Sequence, residues 1–522
     1  MKVVEGFMSD MSTTSPSSSP IRRLVKFLVF GAFTLILLLL GIVAFLNWRG
    51  QREWTQFRSE WEAKGERFDF ADFIPAAVPD DQNFAATPLL AGLLDYTKVP
   101  DQPIRWNNQQ SKDRAAAVGA ILQQKGSRKK VPPAGLWQTG TFADLVQWQE
   151  YLTTNATNAA SSAQEAAREV LALLKGVDAE FAELASVSAR PFAVFPLEYT
   201  ENYRMLLPHL AYLKGMAQTL RLRAIARLVV GQKEEGLQDV MLGLRLAEAL
   251  KTEPTLISQL VRMSMLQLAM QPIWEGVARH DWSEAQLIQL QAALSGVRLL
   301  EDYGRTIRAE RAFGNAAIDE LRTGKMSLAS MDYLGSDVVG SGEVVNAASR
   351  FVPSGWYRLN QLTLNRLYQE RCLSLVDAEK HRVNVAQTRE VDDVPELKKP
   401  GLYNIFARLM FPAVSKTATK FANGQALIDL ATVACALERF RLAQGGYPAQ
   451  LDLLVPRFIE KIPTDLINGE LPKYRRESDG TFVVYSVGWN EVDDGGEPGL
   501  TKSGNAVDPN KGDWVWRSPS LK

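Results

Sequence analysis

A chain of 522 residues with 46% hydrophobic and 23% charged side chains is compositionally globular, and its length suits about two to four folding units. Its 59 Lys and Arg balance its 59 Asp and Glu, so no net field draws the whole molecule to nucleic acid or to an acidic surface. The basic runs Arg128, Lys129, Lys130 and Arg475, Arg476 are short and lack interleaved aromatic rings, and nucleic-acid binding is not expected.

Residues 1–23 include the Ser/Thr/Pro-rich run STTSPSSSP, with too little apolar area to offset the entropy of ordering it. They read as a disordered cytoplasmic tail. Residues 24–48 read as a transmembrane helix. No charged residue occurs from Phe27 to Leu46 (27–46), and about 20 residues rising 1.5 Å each span the roughly 30 Å hydrocarbon core. Arg22, Arg23 and Lys26 precede the run, and Asn47 and Trp48 follow it at interfacial depth. No Ala-x-Ala site closes it, so it reads as a retained anchor in a cell (inner) membrane, with the N-terminus cytoplasmic and the body extracytoplasmic. GAFTLILLLL resembles the type IV prepilin signal. Ala32 separates Gly31 from Phe33, however, and an aliphatic residue stands where that signal has Glu, so cleavage is not expected.

Residues 49–140 form a membrane-proximal helix and an extended segment. Trp54, Phe57 and Trp61 recur at i, i+3 and i+7, a stripe that continues the anchor helix until Gly65. Pro75, Pro79 and Pro88 then favour an extended lead-in that wraps the body. Residues 141–415 carry the helical period, with Gly231 placed as a C-cap between two paired helices and Pro254 as a stop. No period of about 34 residues recurs, so an irregular multi-helix bundle or short solenoid is expected. From Thr323 to Gly355 the stripe is lost, as in an excursion between helical lobes. Helix resumes at WYRLNQLTLNRLYQERCLSLVDAEK, and TREVDDVPELKKPG reads as a polar linker.

Chemistry is sparse. His209, His280 and His381 belong to no metal-binding or catalytic spacing and read as surface or packed residues. There is no GxSxG elbow, and the Gly324-Lys325 pair lacks the flanking pattern of a phosphate loop. Cys372 and Cys435 either pair, joining a central helix to a C-terminal one, or stay two small buried thiols. Of the acidic pairs, Asp80/Asp81 and Asp392/Asp393 read as solvated turns. Asp493 and Asp494 differ, because Asn490, Glu491 and Glu497 share their Gly-rich loop and supply the hard oxygens that calcium needs, although the spacing is not an EF-hand.

Residues 416–522 are the most specific stretch. Ala426 to Ala443 reads as an amphipathic helix closed by Gly445 or Gly446, followed by Tyr447-Pro448 and a short return helix through Leu451 and Leu454. Lys473–Glu477 and Thr481–Val487 read as strands around Asp479-Gly480, with Phe482, Val484 and Ser486 on one face and Val483, Tyr485 and Val487 on the other. The order of this helix, Gly446-Tyr447-Pro448, Asp465, and Tyr485-Ser486 with Gly488 before an acidic loop resembles the globular domain of type II secretion major pseudopilins. The resemblance implies a small α+β module and calcium at Asp493 and Asp494, with Asp508 as a further ligand. The expected fold class is therefore mainly α: an N-terminal transmembrane helix, an irregular helical body, and a C-terminal pseudopilin-like module with a β-hairpin. The expected function is non-enzymatic, an interaction or assembly component contacting other envelope or secretion proteins. The alternative is a membrane-tethered hydrolase or ligand-binding protein acting on an envelope polymer.

Overall fold

The structure is a computed structural model that describes residues 20–99, 103–123, 130–153, 160–326, 352–391, 394–399 and 401–519. The tail expected at 1–23 lies outside the described residues up to residue 19, and so does most of the excursion expected between Thr323 and Gly355 (327–351). The remainder is mainly helical, with small sheets near the C-terminus.

Helix α1 (Pro20–Ala63) runs 44 residues without a break, so the apolar span and the Trp54, Phe57, Trp61 stripe lie on one rod. Among the described residues it is the one helix long and apolar enough to cross a membrane. Gly65 ends it at φ +92°, a conformation open to glycine. Where an extended lead-in was expected, the chain threads over the body in short 3₁₀ turns that bury Phe70 and Phe84 and a single α-helical turn (Pro88–Ala91) that buries Leu89 and Leu90.

The body begins with a two-residue hairpin, β1 (Tyr96–Thr97) and β2 (Arg105–Trp106), and continues through α2 (Gln109–Ala120), α3 (Leu145–Leu152), α4 (Ala163–Leu174) and α5 (Asp178–Ser186). Helices α6 (His209–Val229) and α7 (Lys233–Glu248) form the hairpin expected around Gly231, which sits at φ +85°. α2, α4, α7 and α8 (Leu256–Ala278) all pack on α6. α9 (Glu284–Ser295) and α10 (Leu299–Arg322) follow. Beyond them come α11 (Ser354–Leu367), α12 (Ile405–Ser415) and α13 (Thr417–Gln444).

Two local expectations are corrected. LVDAEK, read as a helix end, forms the hairpin β3 (Val376–Asp377) and β4 (Arg382–Val383), because Asp377 turns its carboxylate onto the Lys380 amide (3.0 Å) and the Val383 amide bonds to the Leu466 carbonyl (2.9 Å). The segment read as a polar linker is largely helical, at Val385–Val391 and Pro395–Lys398, since its apolar residues Val391 and Val394 are buried in the core.

The largest revision concerns α13. The expected single apolar stripe is instead a helix buried on nearly every side from Thr417 to Glu438, packed on α8, α9 and α10 and touching the strands that follow it. Helix and C-terminal strands therefore share one hydrophobic cluster with the body, running from Phe70 to Trp516. The expected hairpin is present as β5 (Lys473–Arg476) and β6 (Phe482–Ser486), in register Lys473 to Tyr485, and β9 (Trp514–Arg517) pairs on the other edge of β6. The alternation holds within β6, with Phe482 and Val484 entering the main core while Val483, Tyr485 and Val515 form a second cluster; Val487, expected on the face of Val483 and Tyr485, lies past the strand end and joins the main core instead. β7 (Pro498–Leu500) and β8 (Val507–Gly512) make a separate ribbon. The sheet is bolted to the body where the Trp274 indole donates to the Arg517 carbonyl (2.6 Å) and where the rings of Trp137 and Trp516 lie 5.0 Å apart. Cys372 and Cys435 are buried free thiols, and burial pushes Cys435 up to about 12.

Gly445 caps α13 at φ +79°. One turn earlier, the fully buried Glu438 accepts from His280 Nδ1 (3.0 Å), Arg441 (2.7 Å) and the Tyr447 hydroxyl (2.8 Å), tying the Gly-Gly-Tyr-Pro break to the end of α8. Burial alone would raise its carboxyl, but these donors outweigh burial and hold it below its ordinary 4.5. A folded value below the unfolded one gives stability that is present above pH 4.5 and lost as the pH falls through the folded value. Glu438→Gln is expected to cost about 3 kcal/mol at pH 7 by leaving buried donors poorly matched, and to flatten the loss of stability below pH 4.5. Denaturant titrations at pH 7 and pH 3.5 check both.

The apolar helix joins the body at a glycine crossing. Gly50 of α1 and Gly355 of α11 approach so closely that a Cβ on Gly355 would collide with the Leu46 carbonyl and lie 2.6 Å from Asn47 Cα. The Gly355 amide donates to Asn47 Oδ1 (2.8 Å). Further along, Trp54 and Phe57 pack on Phe68 and Leu362, and Glu66 ion-pairs with Arg308 (3.0 Å) and the buried Arg311 (2.8 Å). Gly355→Val is expected to cost roughly 1–3 kcal/mol by overpacking. Gly243, buried in α7 with open space at its Cβ position, is the matched control, where alanine adds about 0.5–1 kcal/mol. Thermal unfolding in detergent should show opposite shifts in Tm; an unaltered Tm for Gly355→Val would contradict the close crossing.

Candidate ligand cleft

A cleft of about 760 Å³ lies where α9, the start of α10, the β3–β4 turn, α13 and the segment Phe458–Pro463 meet. That volume falls in the range of ligand pockets. Its wall is mixed: Ile288, Leu294, Val297 and Ile459 are apolar, while Arg298, Glu301, Glu460 and Lys461 bring both signs of charge.

The centre of the cleft is a relay that starts in the core. Gln425 of α13 accepts from the Leu299 amide (2.7 Å) at the start of α10 and donates to Asp429 Oδ1 (2.9 Å) one turn on. Asp429 Oδ2 then meets His381 Nε2 at 2.9 Å. His381 sits in the turn after β3 at φ +52°, a left-handed conformation uncommon for a residue with a Cβ, and this turn carries the ring to the cleft. The bond to Asp429 holds its imidazole above the ordinary 6.5; burial opposes this, and the charges of Asp429 and Asp465 reinforce it. Across the cleft Arg439 donates to Gln291 Oε1 (2.8 Å) and to the Phe458 carbonyl (2.8 Å), so the Phe458 wall is fixed to α13.

None of this is visible as a motif. His381 and Asp429 are 48 residues apart and come together only because the hairpin replaces the expected helix end. All three histidines are bonded to carboxylates from distant segments: His209 to Glu253 (2.7 Å), His280 to Glu438 (3.0 Å) and His381 to Asp429. The first belongs to a closed network in which His209 and Ser258 both bond to Glu253, all three fully buried. Glu253 stands between histidine and serine, so the imidazole is not placed to take the serine proton, and this is core satisfaction rather than a nucleophile.

The acidic loop is organised by a residue the sequence reading passed over. Asp513 is wholly buried and accepts from the amides of Asp494 (3.2 Å) and Gly496 (2.6 Å). Asp493 accepts from the Tyr485 hydroxyl (3.0 Å) and the Gly495 amide (3.0 Å), and Asp494 from Asn490 (2.7 Å). Asp508 stands apart on β8, bonded to Asn510 (3.1 Å) and ion-paired with Lys511 (3.1 Å). Glu491 pairs with Arg389 and Glu497 with Arg517. These oxygens are directed at the loop's own donors. Among the described residues no group of three or more His, Cys, Asp or Glu side chains is assembled to hold a metal ion.

No family model matches the chain, and no curated protein and no solved structure matches it either.

Because the folded value of His381 lies above the unfolded 6.5, its pairing with Asp429 stabilises fully below pH 6.5 and is lost as the pH rises through the folded value. The ring resonances of His381 in a proton NMR titration should therefore show a midpoint above 6.5, and Asp429→Asn should bring it down. A midpoint unmoved by Asp429→Asn would contradict the pair.

Proposed function

We propose that the chain is a single-pass membrane protein of the cell envelope, N-terminus in the cytoplasm and body outside, that acts by binding a partner rather than by catalysis. The observation that carries this reading is the polar cleft on a body joined without a hinge to an apolar span. α1 passes from membrane-spanning composition into the core in one helix and is clamped there by the Gly50–Gly355 crossing. Such a joint suits a scaffold that presents its cleft at a set height and angle. The resemblance of residues 425–496 to secretion pseudopilins supports placing it among envelope or secretion components.

The cleft chemistry favours an extended polar segment of a partner protein. Its charged residues carry both signs, and two of its carboxylates are engaged: Asp429 by His381 and Gln425, Glu301 by Arg298 at 3.3 Å. Engaged acids support holding over hydrolysis. The second reading, a ligand-binding protein or hydrolase for an envelope polymer, is favoured by one feature, the His381–Asp429 pair at the cleft wall.

A photoreactive side chain in place of Ser295, at the cleft rim, discriminates them in membranes. The expected product is a discrete adduct with one protein, whose purified binding to the body weakens about tenfold or more in Asp429→Ala as the cleft loses a half-buried polar partner. A carbohydrate adduct in place of a protein adduct would transfer the assignment to the second reading.

A further inference from the structure

The most exposed large apolar side chain outside α1, among the described residues, is Leu402 at 73%. It does not sit on a loose strand. Asn360 of α11, itself fully buried, accepts from the Ile405 amide (3.0 Å) and donates to the Leu402 carbonyl (3.4 Å). Asn404 accepts from the Gly401 amide (2.8 Å) and donates to the Lys399 carbonyl (2.9 Å). The loop's backbone is thus pinned from both sides while Leu402 points outward, an arrangement that isolates one apolar side chain on a rigid mount.

Its height relative to the apolar span follows from α11. The same helix that carries Asn360 crosses α1 at Gly355, against Leu46, Asn47 and Gly50. Tyr403, next to Leu402, has its ring 5.9 Å from the Arg49 guanidinium. Arg49 is three residues past Leu46, about 4.5 Å further along a helix rising 1.5 Å per residue. The interfacial layer is about 5–7.5 Å deep on each side of the hydrocarbon core, so Arg49 and Tyr403 share that layer. Tyrosine and tryptophan belong at this depth, and Trp48, 56% exposed with Arg52 over its ring at 5.3 Å, lies on the same level. Exposed Lys399 adds a positive charge suited to anionic headgroups.

We propose that Leu402 and Tyr403 form a second membrane contact, inserted among lipid headgroups beside the anchor. The body is then held to the bilayer at two points, which fixes its rotation about α1. This rests on reading α1 as membrane-spanning, and the test separates the two. An environment-sensitive dye is attached to the full chain at Leu402→Cys, at Leu38→Cys in the apolar span, or at Val492→Cys in the exposed acidic loop; Cys372 and Cys435 are buried and stay unlabelled. In nanodiscs with spin-labelled lipid, the dye at position 402 is expected to shift to the blue and to be quenched about threefold more than the dye at 492, as an interfacial side chain is. Quenching at 402 equal to that at 492, with strong quenching at 38, sinks the second contact and leaves the anchor standing. A dye at 38 that reports water sinks both.

Discussion

A helix buried on every side must find a partner for each polar group it carries, because an unmatched buried donor or acceptor costs about 1–3 kcal/mol. α13 is under this constraint along most of its length, and its polar residues set the arrangement around it. Gln425 takes the first amide of α10, Asp429 takes His381, the Thr432 carbonyl receives Gln291 (3.3 Å), and Glu438 gathers His280, Arg441 and Tyr447. Apart from the Arg441 bond within the helix, each reaches a different element. The positions of α9, α10, the β3–β4 turn and the Tyr-Pro break are thus referred to one helix. The cleft is the place where this satisfaction reaches the surface, so its central pair is as much a product of packing as of any ligand.

The other end of the molecule follows a different rule, close approach of backbones. Gly50 and Gly355 let α1 and α11 touch without intervening side chains, and the contact is then secured by Trp54, Phe57 and the Glu66 pairs with Arg308 and Arg311. A buried ion pair of this kind contributes less to net stability than to geometry, since desolvation offsets much of its attraction. Here it locks the exit angle of the apolar rod. α11 transmits that angle to the loop bearing Leu402 and Tyr403 through Asn360.

Local patterns were legible where neighbours in sequence decide the outcome. The uncharged run Phe27–Leu46, the Gly65 and Gly445 caps, the α6–α7 hairpin at Gly231 and the β5–β6 hairpin at Asp479-Gly480 all follow from periodicity and turn chemistry. The side-chain alternation of β6 was legible for the same reason. The polar linker was misread because Val391 and Val394 look isolated until a core is there to receive them. Asp513 was invisible because nothing in GDWVW distinguishes a buried loop organiser from a solvated turn.

The amino-acid sequence by itself determined a mainly helical chain, an apolar helix of membrane-spanning length, and a C-terminal helix followed by a hairpin, since hydrophobic period and turn residues act over a few neighbours. Only the tertiary structure decided that this C-terminal helix is the centre of the body, that His381 meets Asp429, that the buried Asp513 holds the backbone of the acidic loop, and that Tyr403 lies beside Arg49 at the end of the apolar span. Those outcomes depend on contacts between residues tens to hundreds of positions apart, which no local pattern encodes.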